Sequence, residues 1–225
     1  IQGPKSYNIL NTIIQIPSNM KFLDIQSLEF NNKKILVSRT GYTGEDGFEI
    51  SIPFEISEDF LNKLIYNEKT TLCGLGARDS LRVEAGLSLY GHELNEKITP
   101  IDAGLSWAID KSRFKDKKLN GVNVLINQTN SKPKNIKVGI IAENRSMIRE
   151  DMKLFDEKEK NIGLVTSGCF SPILNKSIGI AYIESSFDFD NRIYCNIRNT
   201  LELVINSKLP FVKKKYKKNG ENYEW

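Results

Sequence analysis

The chain has 225 residues, 40% hydrophobic and 27% charged, which is enough apolar material for one large or two ordinary cores and excludes a disordered chain. No apolar run approaches the roughly 18–20 residues a membrane helix needs, and three distant cysteines, Cys73, Cys169 and Cys195, exclude a disulfide framework and a sequence-local zinc site. Five lysines in residues 213–218 exceed the whole net charge of +4 by one, so the rest of the chain sums to −1, which leaves no basic face for a nucleic acid.

Taken in order, residues 1–112 read as mixed α and β. Pro4 suits a first helical turn, and Ile9, Leu10, Ile13 and Ile14 form one apolar face. Residues 22–30 and 34–40 read as strands joined by a tight turn at Asn31-Asn32. A loop with Gly41, Gly44 and Gly47 then leads into a strand with Phe48, Ile50 and Ile52 on one face and Glu49 and Ser51 on the other. Ser57 is the expected N-cap of a helix whose buried stripe is Phe60, Leu61, Leu64 and Ile65. A further helix is expected from about Ala77 to Ala85, stopped by Gly86.

Residues 113–132 are polar and read as a bridge, with one apolar patch at 122–126. From 133 to 225 the pattern is all β. Short strands are expected at 136–142, 153–156, 161–167, 177–183, 192–197 and 202–205, a spacing that favours a small barrel. The tail of five lysines reads as a solvated end.

Two segments carry candidate chemistry. In residues 38–50 three glycines within seven residues allow sharp turning or close approach to a ligand. Glu49 at their end is open to two readings, a solvent-facing strand charge or an acceptor for a ligand. In residues 73–91, Gly74 and Gly76 open a helix that carries Arg78 and Arg82 one turn apart. Helix N-termini and planar guanidinium groups both suit anions. The competing reading pairs these arginines with Asp79, Glu84 or other acids. The glycines fit neither a dinucleotide fingerprint nor a phosphate loop. His92 has no local partner and reads as a loop histidine, Cys73 as a small buried residue, and Tyr90 and Trp107 as core aromatics.

Read together, GYTGEDGFEI (41–50), ARDSLRVEAGLSLYG (77–91), TPIDAGLSWAI (99–109), GLVTSGCFSP (163–172) and PFV (210–212) resemble the aminomethyltransferase family, the T-protein of the glycine cleavage system. The resemblance covers nearly the whole chain, in order and with compatible spacing. It implies an α+β fold: a partial folate-binding domain, ferredoxin-like in part, over 1–112, then a small all-β barrel over 133–225. Ile1-Gln2-Gly3-Pro4 resembles a segment that lies mid-protein in the family. The expectation is therefore a C-terminal portion lacking the N-terminal part and the family's catalytic aspartate, and inactive alone in methylene transfer.

The activity implied is tetrahydrofolate-dependent. The aminomethyl group on the lipoyl arm of the H-protein yields methylenetetrahydrofolate and ammonia, with tetrahydrofolate as co-substrate and no metal. By the same resemblance Glu49 faces the hydrogen-bonding edge of the pterin and Arg78 is a second folate or substrate contact. Tyr216, after Pro210-Phe211-Val212, is a third, and Tyr42 packs on the folate. His92 receives no role, and the lysine tail would steer folate polyglutamate or an acidic H-protein. The competing readings are a non-catalytic folate-binding relative of the iron–sulfur assembly type, and a related folate-linked demethylase or dimethylglycine dehydrogenase domain. The first carries a glycine-cysteine-tyrosine signature not found here. The wording of TPIDAGLSWAI and PFV resembles the mitochondrial branch of the family, whose bacterial members are cytoplasmic.

Overall fold

A computed structural model describes residues 1–115, 120–131 and 133–217. Lys218 of the tail, residues 116–119 and 132 of the expected bridge, and residues 218–225 of the expected barrel region lie outside the described residues. The chain divides into two compact units, one of Ile1–Ala85 with the C-terminal stretch from Lys213, the other Gly86–Val212.

The first unit begins with a short helix, α1 (Ser6–Leu10). A three-stranded antiparallel sheet follows, β1 (Ile25–Phe30), β2 (Lys33–Ser38) and β3 (Glu49–Ser51), in the order β1-β2-β3. Asn31 and Asn32 both hold positive φ, 48° and 57°, and so make the primed turn that matches strand twist and pairs Phe30 with Lys33. Alternation along β2 buries Ile35 and Val37, and Phe48 enters the same core just before β3. Helices α2 (Phe54–Ile65) and α3 (Leu75–Glu84) complete the unit's regular elements.

Leu10, Phe30, Ile35, Val37, Phe48, Ile56 and Phe60 share one buried cluster, with Phe30 and Phe60 edge to face at 5.0 Å. Helix α2 starts three residues before the expected cap. Pro53 is its N-cap, and the Ser57 hydroxyl donates instead to Phe54 O at 2.7 Å. Its buried stripe is therefore Ile56, Phe60 and Leu64, at i, i+4 and i+8, while Leu61 is exposed. The expected partial domain is corrected here, because these residues close a core of their own. A ferredoxin-like sheet needs four strands interleaved with two helices; this unit has a three-stranded meander among its described residues.

The C-terminal stretch pairs with this unit. Lys215 N–H donates to Gly44 O at 2.8 Å and Phe22 N–H to Lys217 O at 2.9 Å. Tyr216 is buried, its ring stacked on Phe22 at 3.9 Å with 2° between planes. Lys217 Nζ donates to Ser18 O at 2.7 Å. Over residues 213–217 the lysine tail is thus pinned in place, not a loose solvated end.

The second unit is built on a closed six-stranded antiparallel barrel in the order β4-β7-β6-β5-β8-β9. Its strands are β4 (Asn135–Ala142), β5 (Lys153–Phe155), β6 (Asn161–Ser171), β7 (Lys176–Glu184), β8 (Ile193–Ile197) and β9 (Thr200–Ser207). Closure leaves no unpaired edge. The interior is filled by Ile140, Ile148, Leu154, Val165, Ile183, Ile193, Cys195 and Val204. The apolar patch in the expected bridge is a helix, α4 (Val122–Asn130), entered from Gly121 at φ 72°. Residues 86–112 belong to this unit. Glu93 in this stretch is fully buried, and its carboxylate accepts from the Thr166 and Ser167 hydroxyls and from Leu89 N–H. Among the described residues no helix is long and apolar enough to cross a membrane.

Candidate functional site

The glycine loop between β2 and β3 is organised around a residue far away in sequence. Gln2 Nε2 donates to Thr40 O at 3.0 Å and to Phe48 O at 3.3 Å, tying the two roots of the loop together. A Cβ on Gly47 would lie 2.7 Å from Ile1 O, so that position requires glycine for close backbone approach, while one on Gly41 would push aside the end of the Gln2 side chain. The neighbouring segment pairs likewise, Gly3 N–H to Asp46 O and Phe48 N–H to Ile1 O, each at 2.8 Å.

Beneath the loop, Arg39 and Asp46 form a buried bidentate ion pair along one guanidinium edge, Nε to Oδ1 at 3.0 Å and Nη2 to Oδ2. Arg39 Nη1 also donates to Met20 O at 2.9 Å. Its guanidinium lies 5.2 Å from the Tyr7 ring centroid and 5.0 Å from that of Phe48.

Two of the four expected site residues share one cleft. It has a volume of about 580 Å³, with Phe48, Ile50 and Leu64 on its apolar side and Glu49 and Arg78 among its polar groups. That size is ordinary for a small-molecule site. Glu49 is exposed at the surface, and Thr40 Oγ1–H donates to its Oε2. Arg78, exposed on the first turn of α3, places its guanidinium carbon 4.9 Å from the Tyr42 ring centroid. Tyr42 therefore joins the group through Arg78, while Tyr216 lies outside the cleft lining, stacked on Phe22. Burial raises the Tyr216 phenol above its usual range. It lowers Lys214 and Lys217, the latter also through nearby Arg39.

The two arginines of α3 part company. Arg82 is buried and its Nε donates to Asp79 Oδ1 at 2.8 Å, as the ion-pair reading expects, whereas Arg78 faces the cleft. Cys73 is exposed and not buried, and Tyr90 and Trp107 are 68% and 78% exposed, so neither fills a core. His92 Nδ1 lies 3.1 Å from both Thr166 O and Glu150 Oε1 in the barrel unit. Among the described residues no group of three or more His, Cys, Asp or Glu side chains could hold a metal ion.

Sequence reasoning missed Gln2, Thr40 and the Arg39–Asp46 pair. The partners of Gln2 lie 38 and 46 residues away, beyond any local pattern. The Arg39–Asp46 pair had a legible signal, since the two charges flank a glycine loop that must fold back on itself.

Residues 1–113 match the model of the GCVT N-terminal domain, and residues 137–213 that of the glycine cleavage T-protein C-terminal barrel domain. The mitochondrial aminomethyltransferase of Flaveria anomala is 40% identical over 222 residues, 97% of this chain and 54% of that protein. The mitochondrial aminomethyltransferase of Pisum sativum gives the same identity and coverage, 40%, 97% and 54%. The crystal structure of glycine cleavage system aminomethyltransferase T from Bartonella henselae superposes with a TM-score of 0.89 at 31% identity, covering 96% of this chain and 60% of that one. The chain spans about half the length of the curated relatives it matches.

The N-terminal and the C-terminal domain models both match, which corrects the expectation of a C-terminal portion lacking the N-terminal part and of a partial first domain. The family itself stands as the motifs implied: the chain belongs to the glycine cleavage T-protein family.

Proposed function

We propose that this chain serves tetrahydrofolate-dependent aminomethyl transfer in glycine cleavage. The aminomethyl group on the lipoyl arm of the H-protein becomes the methylene of methylenetetrahydrofolate, and ammonia is released. The observation that carries this reading is the meeting of Glu49 and Arg78 in one cleft of about 580 Å³, with the Arg78 guanidinium 4.9 Å from the Tyr42 ring centroid.

The residues suit the ligand. A carboxylate accepts two parallel N–H donors, which is what the edge of a pterin offers. The apolar side of the cleft, Phe48, Ile50 and Leu64, suits the flat ring. Arg78, over the Tyr42 ring, offers a fork of donors to a carboxylate or to the reacting nitrogens. Tyr216, braced on Phe22, is a fourth contact in this proposal. No residue of the chain is put forward as the catalytic acid, and no step requires a metal. The names of the relatives support a mitochondrial setting.

The test is release of ammonia from aminomethylated H-protein with and without tetrahydrofolate, alongside equilibrium binding of tetrahydrofolate to the chain. Saturable binding that Glu49→Ala weakens strongly, with folate-dependent release, is expected; such release would also overturn the inactivity of the isolated chain expected from the sequence. Release indifferent to tetrahydrofolate, or no binding at all, overturns the proposal.

A further inference from the structure

We propose that Thr40 is a positioning residue that sets the plane of the Glu49 carboxylate, and that Gln2 holds the two in register. This rests on the reading of Glu49 as the folate acceptor.

The last torsion of a glutamate is broad and weakly preferred, so an exposed Glu49 would present its oxygens in many orientations. A ligand with two N–H donors in one plane needs one orientation, and ordering it on binding costs affinity. Thr40 removes that freedom. Its hydroxyl donates to Oε2 of Glu49, across the gap between the end of β2 and the start of β3. A carboxylate has about four acceptor sites, so one donor on Oε2 leaves Oε1 and the outer edge for the ligand.

The Thr40–Glu49 bond depends on the backbones of the two residues staying at a fixed separation. Gln2 supplies this. One side-chain amide bonds to Thr40 O and to Phe48 O, the carbonyl immediately before Glu49. Its Oε1 also accepts from Thr43 Oγ1 at 3.5 Å, inside the same loop. The two glycines whose Cβ would strike Gln2 keep this bracket seated. The β2–β3 ladder, which pairs Ser38 with Glu49, sets the strand register, and Gln2 carries it past the strand end to Thr40 and Phe48.

In the free chain the Thr40–Glu49 bond is exposed and competes with water, so it adds little to stability. Once a ligand covers the cleft the same bond is shielded and strengthens. A purely structural threonine would behave the opposite way.

The experiment compares Thr40→Val, Thr40→Ser, Glu49→Ala and the double variant Thr40→Val/Glu49→Ala in the full chain, by tetrahydrofolate titration and thermal unfolding. Thr40→Val is expected to weaken binding about tenfold, the effect of one hydrogen bond to a charged group, at an unchanged unfolding midpoint. Thr40→Ser is expected to restore wild-type affinity, and the double variant to bind no worse than Glu49→Ala. Wild-type affinity in Thr40→Val, equal losses in the Val and Ser variants, or additive losses overturn the proposal. If Glu49→Ala binds normally, or no chain binds, the folate reading fails separately. In that case the unliganded chain decides: one dominant Glu49 side-chain rotamer in NMR couplings, averaged in Thr40→Val, supports the positioning role, and equal averaging in both overturns it.

Discussion

Arg39 and Asp46 meet in a bidentate pair along one edge of the guanidinium, buried at the base of the loop that carries Tyr42 and leads to Glu49. A buried pair is not strong support for stability in itself, because desolvation offsets its attraction. Breaking it from one side is different, since the remaining charge stays buried. Asp46→Ala is expected to destabilise the chain by about 3–5 kcal/mol in chemical denaturation. Asp46→Asn, which keeps one acceptor for Arg39, is expected to cost less.

Tyr216 separates two roles, bracing and binding. Its ring is stacked on Phe22 and buried, so Tyr216→Ala is expected to cost about 3 kcal/mol by removing a large buried aromatic. Tyr216→Phe keeps the stack and is expected to unfold within about 0.5 kcal/mol of wild type. Tetrahydrofolate binding by that folded Phe variant then reports on the hydroxyl alone.

Arg78→Lys keeps the charge but loses the planar group that lies against Tyr42. Tetrahydrofolate binding is expected to weaken about tenfold, the scale of a lost stacked cation with its fork of donors. Arg82→Lys is a poor control for this, because Arg82 is buried and a loss there reports on packing.

Alkaline pH should weaken the barrel unit through Cys195. Burial pushes its thiol up from 9.0 to about 12. The unfolded chain releases this proton first as pH rises past 9, so the stabilising contribution is complete below that pH and is lost toward 12. The slope from this group is about 1.4 kcal/mol per pH unit, and Cys195→Ala is expected to remove it from the pH dependence of unfolding. Tyr182 is raised in the same direction, by burial and by Glu93 and Asp102, and leaves a residual slope in that variant. At pH 8 in native conditions a thiol reagent is expected to modify Cys73, which is exposed, and to spare Cys195.

How much of this was legible depended on distance along the chain. The barrel strands were placed to within a few residues because each alternates and ends at a turn, and the Asn31-Asn32 turn announced the first hairpin. Helix α2 was started late because its first residue, Phe54, is 90% exposed and contributes nothing to the apolar stripe. A helix was missed at Val122–Asn130 because one buried residue, Val122, makes no periodic pattern. Exposed Trp107 and Cys73 ran against their usual burial, which composition alone cannot reveal. At the candidate site, Glu49 and Arg78 were named from motifs. Gln2 and Thr40 were not, because their importance lies in bonds that exist only once the chain has closed on itself.

Finally, the unit that begins at Ile1 is completed by residues 213–217, which bond to Ser18, Phe22 and Gly44. A ribosome delivers those residues after the whole of Gly86–Val212. Ile1–Ala85 therefore lacks the partners of Phe22 and Gly44 until every strand of the barrel has been made. The loop bearing Tyr42, though made early, is thus secured only by residues made after the last barrel strand.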